Sequence, residues 1–283
     1  MKIRPITAYI GAEIFGVDLA DGVSPQVGDD LYEVLLDRGV LVFRNQVLPP
    51  AAHLAFAATF GPIASPHPLY RQVEGFPGIN IIRNDADNPP ESEVWHSDLS
   101  CKPLPPFASV LCGHEIPDVG GDTLWADMRA VYNALSPRLV AMLDGLYAQH
   151  TLEHGFRFLE DFGQTDRQDT MATTTRASFA ARHPVVINHP SSGRKVVYVN
   201  ESFTTRLLGV PEVESRALLQ ALFEMVRNPR FQMRMRWEPG TVVMWDNWAT
   251  QHFAAGDHYP TYNREVHRVT LRTDGRVGVV GLS

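Results

Sequence analysis

The chain has 283 residues, 44% of them hydrophobic, enough to bury a sizeable core in one large domain. Its formal net charge of −7 argues against a nucleic-acid footprint, which is basic and clustered, while a local arginine site for a small anion stays open. Two cysteines, Cys101 and Cys112, are too few for a secreted disulfide scaffold. With no apolar signal core behind Met1 and no run near the ~20 apolar residues of a membrane span, the expectation is a cytoplasmic protein with reduced thiols and no membrane contact.

The 21 glycines and 21 prolines are scattered, as in a fold of many short elements joined by turns. Residues 10–18 read as strand, and 31–36 as part of a helix that ends at Gly39. Val40-Leu41-Val42-Phe43 reads as a short buried strand. Pro49-Pro50 opens an Ala-rich helix that runs to Phe60-Gly61. Short strands are predicted at 79–82, 108–112 and 123–126, and an amphipathic helix over 130–146. Residues 157–182 are polar, Thr-rich and aperiodic, which predicts a long loop and a candidate lid. Segments 185–188 and 195–199 flank Pro190-Ser191-Ser192-Gly193, a hairpin signal. Residues 212–227 form a helical pattern with Leu218, Leu219, Leu222, Phe223 and Val226 on one face, stopped by Asn228-Pro229. Phe231, Met233, Met235 and Trp237 then alternate with Gln232, Arg234 and Arg236, the pattern of a half-buried strand. Segments 241–245 and 266–272 complete the strands. Many strands with a few helices predict one mainly-β domain over 1–283, a double-sheet jelly roll with helices packed outside.

Trp95-His96-Ser97-Asp98 is the first chemical signal. On a strand, residues two apart share a face, so His96 and Asp98 can point at one metal ion. By itself His-x-Asp is weak, because a hydrogen-bonded pair looks the same. A second histidine, His252, ends Trp245-Asp246-Asn247-Trp248-Ala249-Thr250-Gln251-His252. Two histidines and one carboxylate leave three metal positions open, the facial triad of non-haem Fe(II) oxygenases. Those positions are needed because a cosubstrate and O2 must both bind the iron. The strand beyond His252 carries Arg264, Arg268 and Arg272 on one face. If that face points inward, its guanidinium groups need anionic partners. Arg264 and Arg268 sit about 13 Å apart on an extended strand, far enough to hold two different organic acids.

These residues closely resemble the taurine dioxygenase family of 2-oxoglutarate-dependent oxygenases. The match covers most of the chain. It is strongest at Asn88-Pro89-Pro90 leading to Trp95-His96-Ser97-Asp98, at Gly120-Gly121-Asp122-Thr123-Leu124-Trp125, at Val199-Asn200-Glu201-Ser202-Phe203-Thr204-Thr205-Arg206, and from Trp245 to His252 through Arg268. The resemblance implies a double-stranded β-helix core with Fe(II) held by His96, Asp98 and His252. It implies that Thr123 and Arg264 hold the distal carboxylate of 2-oxoglutarate, with O2 as the other cosubstrate. It also implies a sulfonate site of His67 and Arg268 with an aromatic lining of Tyr70, Phe156 and Phe203. One departure concerns the substrate loop, where the family usually carries Asn over the substrate amine and this chain has Ser92, flanked by Glu91 and Glu93.

The expectation is therefore hydroxylation of the carbon next to the sulfonate of a small organic sulfonate, taurine first, with release of sulfite and an aldehyde alongside succinate and CO2. An alkyl sulfate ester, an aryloxyacetate or another small anion is the alternative substrate. A silent jelly-roll binding module predicts no iron affinity, and a zinc hydrolase gives no reason for Thr123 and Arg264. The partner expected is a small anion, with room for a homo-oligomer.

Overall fold

The run Val40–Phe43 is apolar at every position because its strand is covered on both faces. The computed structural model describes residues 1–65, 70–90, 92–152, 154 and 179–273. Its strands begin with β1 (Lys2–Pro5), β2 (Ala12–Phe15), β3 (Val40–Phe43), β4 (Gln72–Val73), β5 (Phe76–Asn84), β6 (Ala108–Glu115), β7 (Thr123–Asp127) and β8 (Tyr147–Thr151). They continue with β9 (Ala180–Pro184), β10 (Val186–Asn188), β11 (Lys195–Val197), β12 (Thr204–Leu207), β13 (Gln232–Met235), β14 (Val242–Asp246), β15 (Thr250–Ala254) and β16 (Arg264–Leu271). Helices are α1 (Pro25–Arg38), α2 (Pro50–Ala58), α3 (Met128–Ala134), α4 (Pro137–Leu143) and α5 (Glu212–Val226).

Eight strands form one sheet in the order β1-β2-β3-β14-β6-β16-β5-β4, and β13-β7-β15 form a smaller sheet. Successive side chains on a strand point to opposite faces. Val40, Val42, Leu111, Val243, Trp245 and Val266 of the large sheet thus pack with Trp125, Met233 and Met235 of the small one. The intervening residues Leu41, Phe43, Val110, Met244 and Val269 belong to a second core with Leu31 and Leu35 of α1 and Phe56 of α2. The result is the mainly-β jelly roll with flanking helices that the sequence predicts. Among the described residues no helix is long and apolar enough to cross a membrane, and both cysteines are free thiols.

The helix over 31–36 is part of α1, which starts at Pro25 and stops at Gly39, whose φ of 73° suits glycine. A Cβ at Gly39 would also sit 2.8 Å from Thr250 Cγ2 and 3.1 Å from an Arg129 nitrogen, so the chain passes close to the small sheet here. The predicted helix over 130–146 is two helices. Ser136 takes an extended conformation before Pro137 and caps α4 by accepting from Leu139 N at 3.2 Å. Beyond Leu143 the chain leaves the helix and approaches β8. The loop expected over 157–182 is shorter at its C-terminal end, because residues 180–182 belong to β9 and pair with β8. Residues 157–178 of that loop lie outside the described residues.

Asp127 joins the small sheet to α3. Its carboxylate accepts from Arg129 N at 2.8 Å and Ala130 N at 3.1 Å, and pairs with the Arg129 guanidinium at 2.9 Å. Both side chains are almost fully buried, at 1% and 2% exposure. Replacing Asp127 with Ala strands a buried cation and removes a helix cap, so we expect a loss of about 3–5 kcal/mol in urea unfolding. A loss below ~1 kcal/mol would mean that Arg129 finds another partner.

Candidate active site

His96 and His252 meet in an isolated antiparallel bridge. His96 N donates to His252 O at 3.1 Å, and His252 N to His96 O at 2.8 Å. Residues directly opposite across such a bridge send their side chains to the same side. The two rings accordingly face each other with centroids 4.0 Å apart. Asp98 is not on a strand, in contrast to the expectation from spacing. It lies in a turn that begins just after the bridge, where Leu99 adopts a φ of 47°. That turn, rather than strand alternation, carries the carboxylate to the histidines. One ligand atom each from His96, Asp98 and His252 lies within 4.8 Å of the others, and all three residues are buried.

His96 Nδ1 is 2.8 Å from the Val94 carbonyl, so it carries the ring proton and Nε2 keeps its lone pair. Burial lowers the pKa of both histidines and keeps them neutral, the form that binds a metal. Burial works to raise the pKa of Asp98. The Arg268 guanidinium above all, with the Ser109 hydroxyl, outweighs it and holds the carboxyl well below the usual carboxylate range. Arg268 Nη1 lies 3.3 Å from one carboxylate oxygen, and Ser109 Oγ donates to the other at 2.9 Å. Two neutral imidazoles and one ionised carboxylate form a donor set that fits Fe(II).

Sequence reasoning missed the groups that hold this turn. Asn247 Nδ2 donates to Ser109 Oγ at 3.3 Å, while its Oδ1 accepts from Trp245 Nε1 at 2.8 Å. Ser97 Oγ donates to the Asn247 carbonyl. The available signals were a lone hydroxyl in the apolar run of β6 and an amide inside the Trp245–His252 motif.

Even-numbered residues of β16 face the small sheet, as Val266 does. Arg264 is 4% exposed and donates from Nε to the Gly121 carbonyl at 3.0 Å. Its guanidinium carbon lies 5.4 Å over the Trp237 ring, and Trp237 Nε1 donates to Thr123 Oγ1 at 3.0 Å. Among the described residues no carboxylate pairs with Arg264, and burial pulls its pKa down to about 10. Thr123 and Arg264 therefore meet at one indole. Arg268 lies 5.3 Å from the Tyr70 ring centre, and its buried Nε has no hydrogen-bond partner among the described residues.

The Ser92 carbonyl accepts from Ala254 N at 3.1 Å, two residues past His252. Glu93 accepts from Gly256 N at 2.7 Å. Phe203 is buried in the turn entering β12, its amide bonded to Asn200 Oδ1 at 2.9 Å. His67 and Phe156 lie outside the described residues.

A jelly roll with two histidines and a carboxylate at one end of its small sheet, and with inward arginines on the facing strand, has the architecture of a non-haem iron oxygenase. Residues 2–270 match the family model for taurine catabolism dioxygenase TauD, TfdA family, and the chain belongs to that family. It is an Fe(II)- and 2-oxoglutarate-dependent dioxygenase that uses O2. It is 32% identical to an alkylsulfatase of Acinetobacter baylyi, covering 100% of this chain and 88% of that protein. It is 33% identical to an alpha-ketoglutarate-dependent sulfate ester dioxygenase of Pseudomonas putida, covering 99% and 92%. Its structure resembles a crystal structure of a taurine dioxygenase from Burkholderia xenovorans with a TM-score of 0.82, 35% identity, and coverage of 96% and 89%.

Ser109 is the only hydroxyl bonded to the Asp98 carboxylate among the described residues. Ser109→Ala is expected to keep the fold and weaken Fe(II) binding by roughly 10–100-fold, as losses of this kind do. Anaerobic titration with Fe(II) reads the effect, and wild-type affinity would show that Asp98 is oriented without Ser109.

Proposed function

We propose that the enzyme hydroxylates the carbon next to the sulfur oxyanion of a small organic sulfate ester or sulfonate. His96, Asp98 and His252 would hold the iron, Thr123 and Arg264 the distal carboxylate of 2-oxoglutarate, and Arg268 the substrate anion. The observation that carries the substrate class is Arg268 itself. Its side chain is 12% exposed, it borders Asp98 and Tyr70, and it keeps a buried Nε without a partner among the described residues. A sulfate ester or sulfonate is anionic at any physiological pH, so it needs such a fixed cation. His67 and Phe156 enter this reading through the family likeness, and the lid expected over 157–182 through its polar, aperiodic sequence.

Bound iron supplies the O2 activation that couples decarboxylation of 2-oxoglutarate to succinate and CO2 with oxidation of the substrate. The chain's own part is binding, orientation and exclusion of water. Arg264 offers a guanidinium fork, which takes a carboxylate bidentately. Thr123 Oγ1 accepts from Trp237, so its own proton remains to donate to the same carboxylate. Hydroxylation at a primary carbon yields an adduct that expels its oxyanion. A sulfate ester then gives an aldehyde and sulfate, and a sulfonate gives an aldehyde and sulfite.

Between these substrates, the loop beside β15 favours an amine-free one. Ser92 stands at the family's asparagine position, and the Glu93 carboxylate is bonded to Gly256 N. The two sulfate-ester relatives support the same choice. Taurine is the second reading, supported by the likeness to a taurine dioxygenase structure.

The test is a panel of short alkyl sulfates, propanesulfonate, taurine and an aryloxyacetate, assayed for succinate and for sulfate or sulfite. Amine-free sulfur oxyanions should turn over fastest. Turnover of the aryloxyacetate alone would end this reading. Arg268→Leu should cut kcat/KM for the sulfur substrate by about 100-fold or more, the cost of removing one member of a buried charge pair. Arg264→Leu should instead raise the KM for 2-oxoglutarate; a loss confined to the sulfur substrate would exchange the two arginine roles.

A further inference from the structure

The turn between β15 and β16 holds a histidine that neither the iron cluster nor the sulfur-anion site uses. His258 is 2% exposed, yet neither ring nitrogen reaches a partner in full hydrogen-bond geometry among the described residues, the Ala255 carbonyl making only a weak approach. Buried polar side chains almost always have a partner, and an imidazole without a well-formed bond calls for one. Its backbone is fixed by the Gly120-Gly121 turn. A Cβ at Gly120 would come within 2.9 Å of His258 N, and the φ of 78° there also suits glycine.

The same turn brings His258 to Arg264. A Cβ on Gly121 would lie 3.3 Å from Arg264 Nε and 3.4 Å from His258 Nδ1, so only a glycine lets both side chains close on this point. Arg264 Nε is held by the Gly121 carbonyl, while Gly121 N is held by Asp257 Oδ1 at 2.8 Å. The loop is thus clamped without help from the imidazole. The terminal nitrogens of Arg264 make no hydrogen bond to any described residue. A cation and an imidazole, both buried and both lacking an anion, converge from two sides of one turn.

We propose that His258 is a further binding residue for 2-oxoglutarate, its imidazole N–H donating to the distal carboxylate held by Arg264. The inference rests on the assignment of Arg264 to that carboxylate. Burial first, and then the neighbouring Arg264 charge, lower the pKa of His258, against the opposing pull of the Ala255 carbonyl, Asp257 and Glu93. The ring is therefore neutral, with one N–H to give. The carboxylates around it are already engaged: Asp257 with Gly121 N and Arg234, Glu93 with Gly256 N, and Asp122 with Arg234. Each of them already has a donor, whereas the terminal nitrogens of Arg264 have no acceptor among the described residues. An incoming carboxylate satisfies Arg264 and His258 together.

The experiment is anaerobic calorimetry of 2-oxoglutarate binding to the Fe(II)-loaded protein, with His258→Leu, His258→Gln and Arg264→Leu beside the wild type. Leu removes the donor, and Gln restores one on a side chain of similar reach. The expected result is binding about tenfold or more weaker in His258→Leu, recovered to within about threefold in His258→Gln, with Fe(II) affinity and melting temperature unchanged in both. Wild-type affinity in His258→Leu, or equal losses in the Leu and Gln variants, overturns the proposal. Arg264→Leu separates the two levels of the argument. If it binds 2-oxoglutarate normally, the carboxylate is not at Arg264 and both readings fall. If it loses binding while His258→Leu does not, only the role of His258 falls.

Discussion

The reciprocal backbone hydrogen bonds between His96 and His252 are the constraint on which the active site depends. β15 is anchored through its pairing with β7, where His252 lies opposite Trp125. The bridge transfers that fixed position to the segment around His96, which belongs to no strand ladder, and the turn after it delivers Asp98. The three groups proposed as ligands, which must agree to within a few tenths of an ångström, thereby share one reference strand. A side chain placed on a free loop would lose rotational freedom when the metal binds. Here the bridge and the Ser97–Asn247–Ser109 bonds have already removed it.

The groups proposed to act come from both sheets. Thr123 and His252 project from the small sheet, Arg264 and Arg268 from β16 of the large one, and the space between the sheets is closed by the tryptophan-rich core. Trp245 joins the two regions: its ring packs 4.9 Å from that of His252, and its Nε1 holds Asn247. Trp237 does the same at the other end, beneath Arg264 and against Thr123. Large indoles with one polar handle are suited to a boundary where an apolar core meets a polar pocket. Such rings add apolar surface to the pocket wall, and a low-dielectric wall strengthens charge interactions beside it.

Much of this architecture is legible in the sequence because strand periodicity is short and strong. The alternation in β16 places Arg264 and Arg268 on one inward face, and the unbroken apolar run of β3 announces a strand covered on both sides. Residues 130–146 read as a single helix because the apolar spacing continues across Ser136-Pro137, where the backbone must leave the helical region. β8, β9 and β12 carry polar residues such as Gln149, Arg182 and Arg206, so no period marks them. His96 and Asp98 do converge, but through a bridge and a turn that two-residue spacing does not encode. Ser109 and Asn247 leave only faint signals in the sequence, and the roles of Trp237 and His258 leave none. Their partners lie far along the chain, as with Asn247 and Ser109, 138 residues apart, and an unpartnered nitrogen exists only in three dimensions.

Charge balance in the buried pocket narrows the substrate further than the aromatic lining can. Among the described residues the site contains one ionised carboxylate, Asp98, and two guanidinium groups, Arg264 and Arg268, a surplus of one positive charge. Fe(II) and the dianion of 2-oxoglutarate bring equal and opposite charges and leave that surplus in place. A monoanion such as an alkyl sulfate or alkanesulfonate cancels it. A zwitterion such as taurine adds no net charge, and its ammonium group would need an acceptor that Glu93, bonded to Gly256 N, does not freely offer. A dianion would leave a negative excess in a region where unpaired charge costs several kcal/mol. Low dielectric makes such imbalances matter more than the few contacts that separate one short carbon chain from another. Under the proposed function, charge balance therefore favours a small monoanion over a zwitterion or a dianion, and the choice of sulfur rests on the loop beside β15 and on the sulfate-ester relatives.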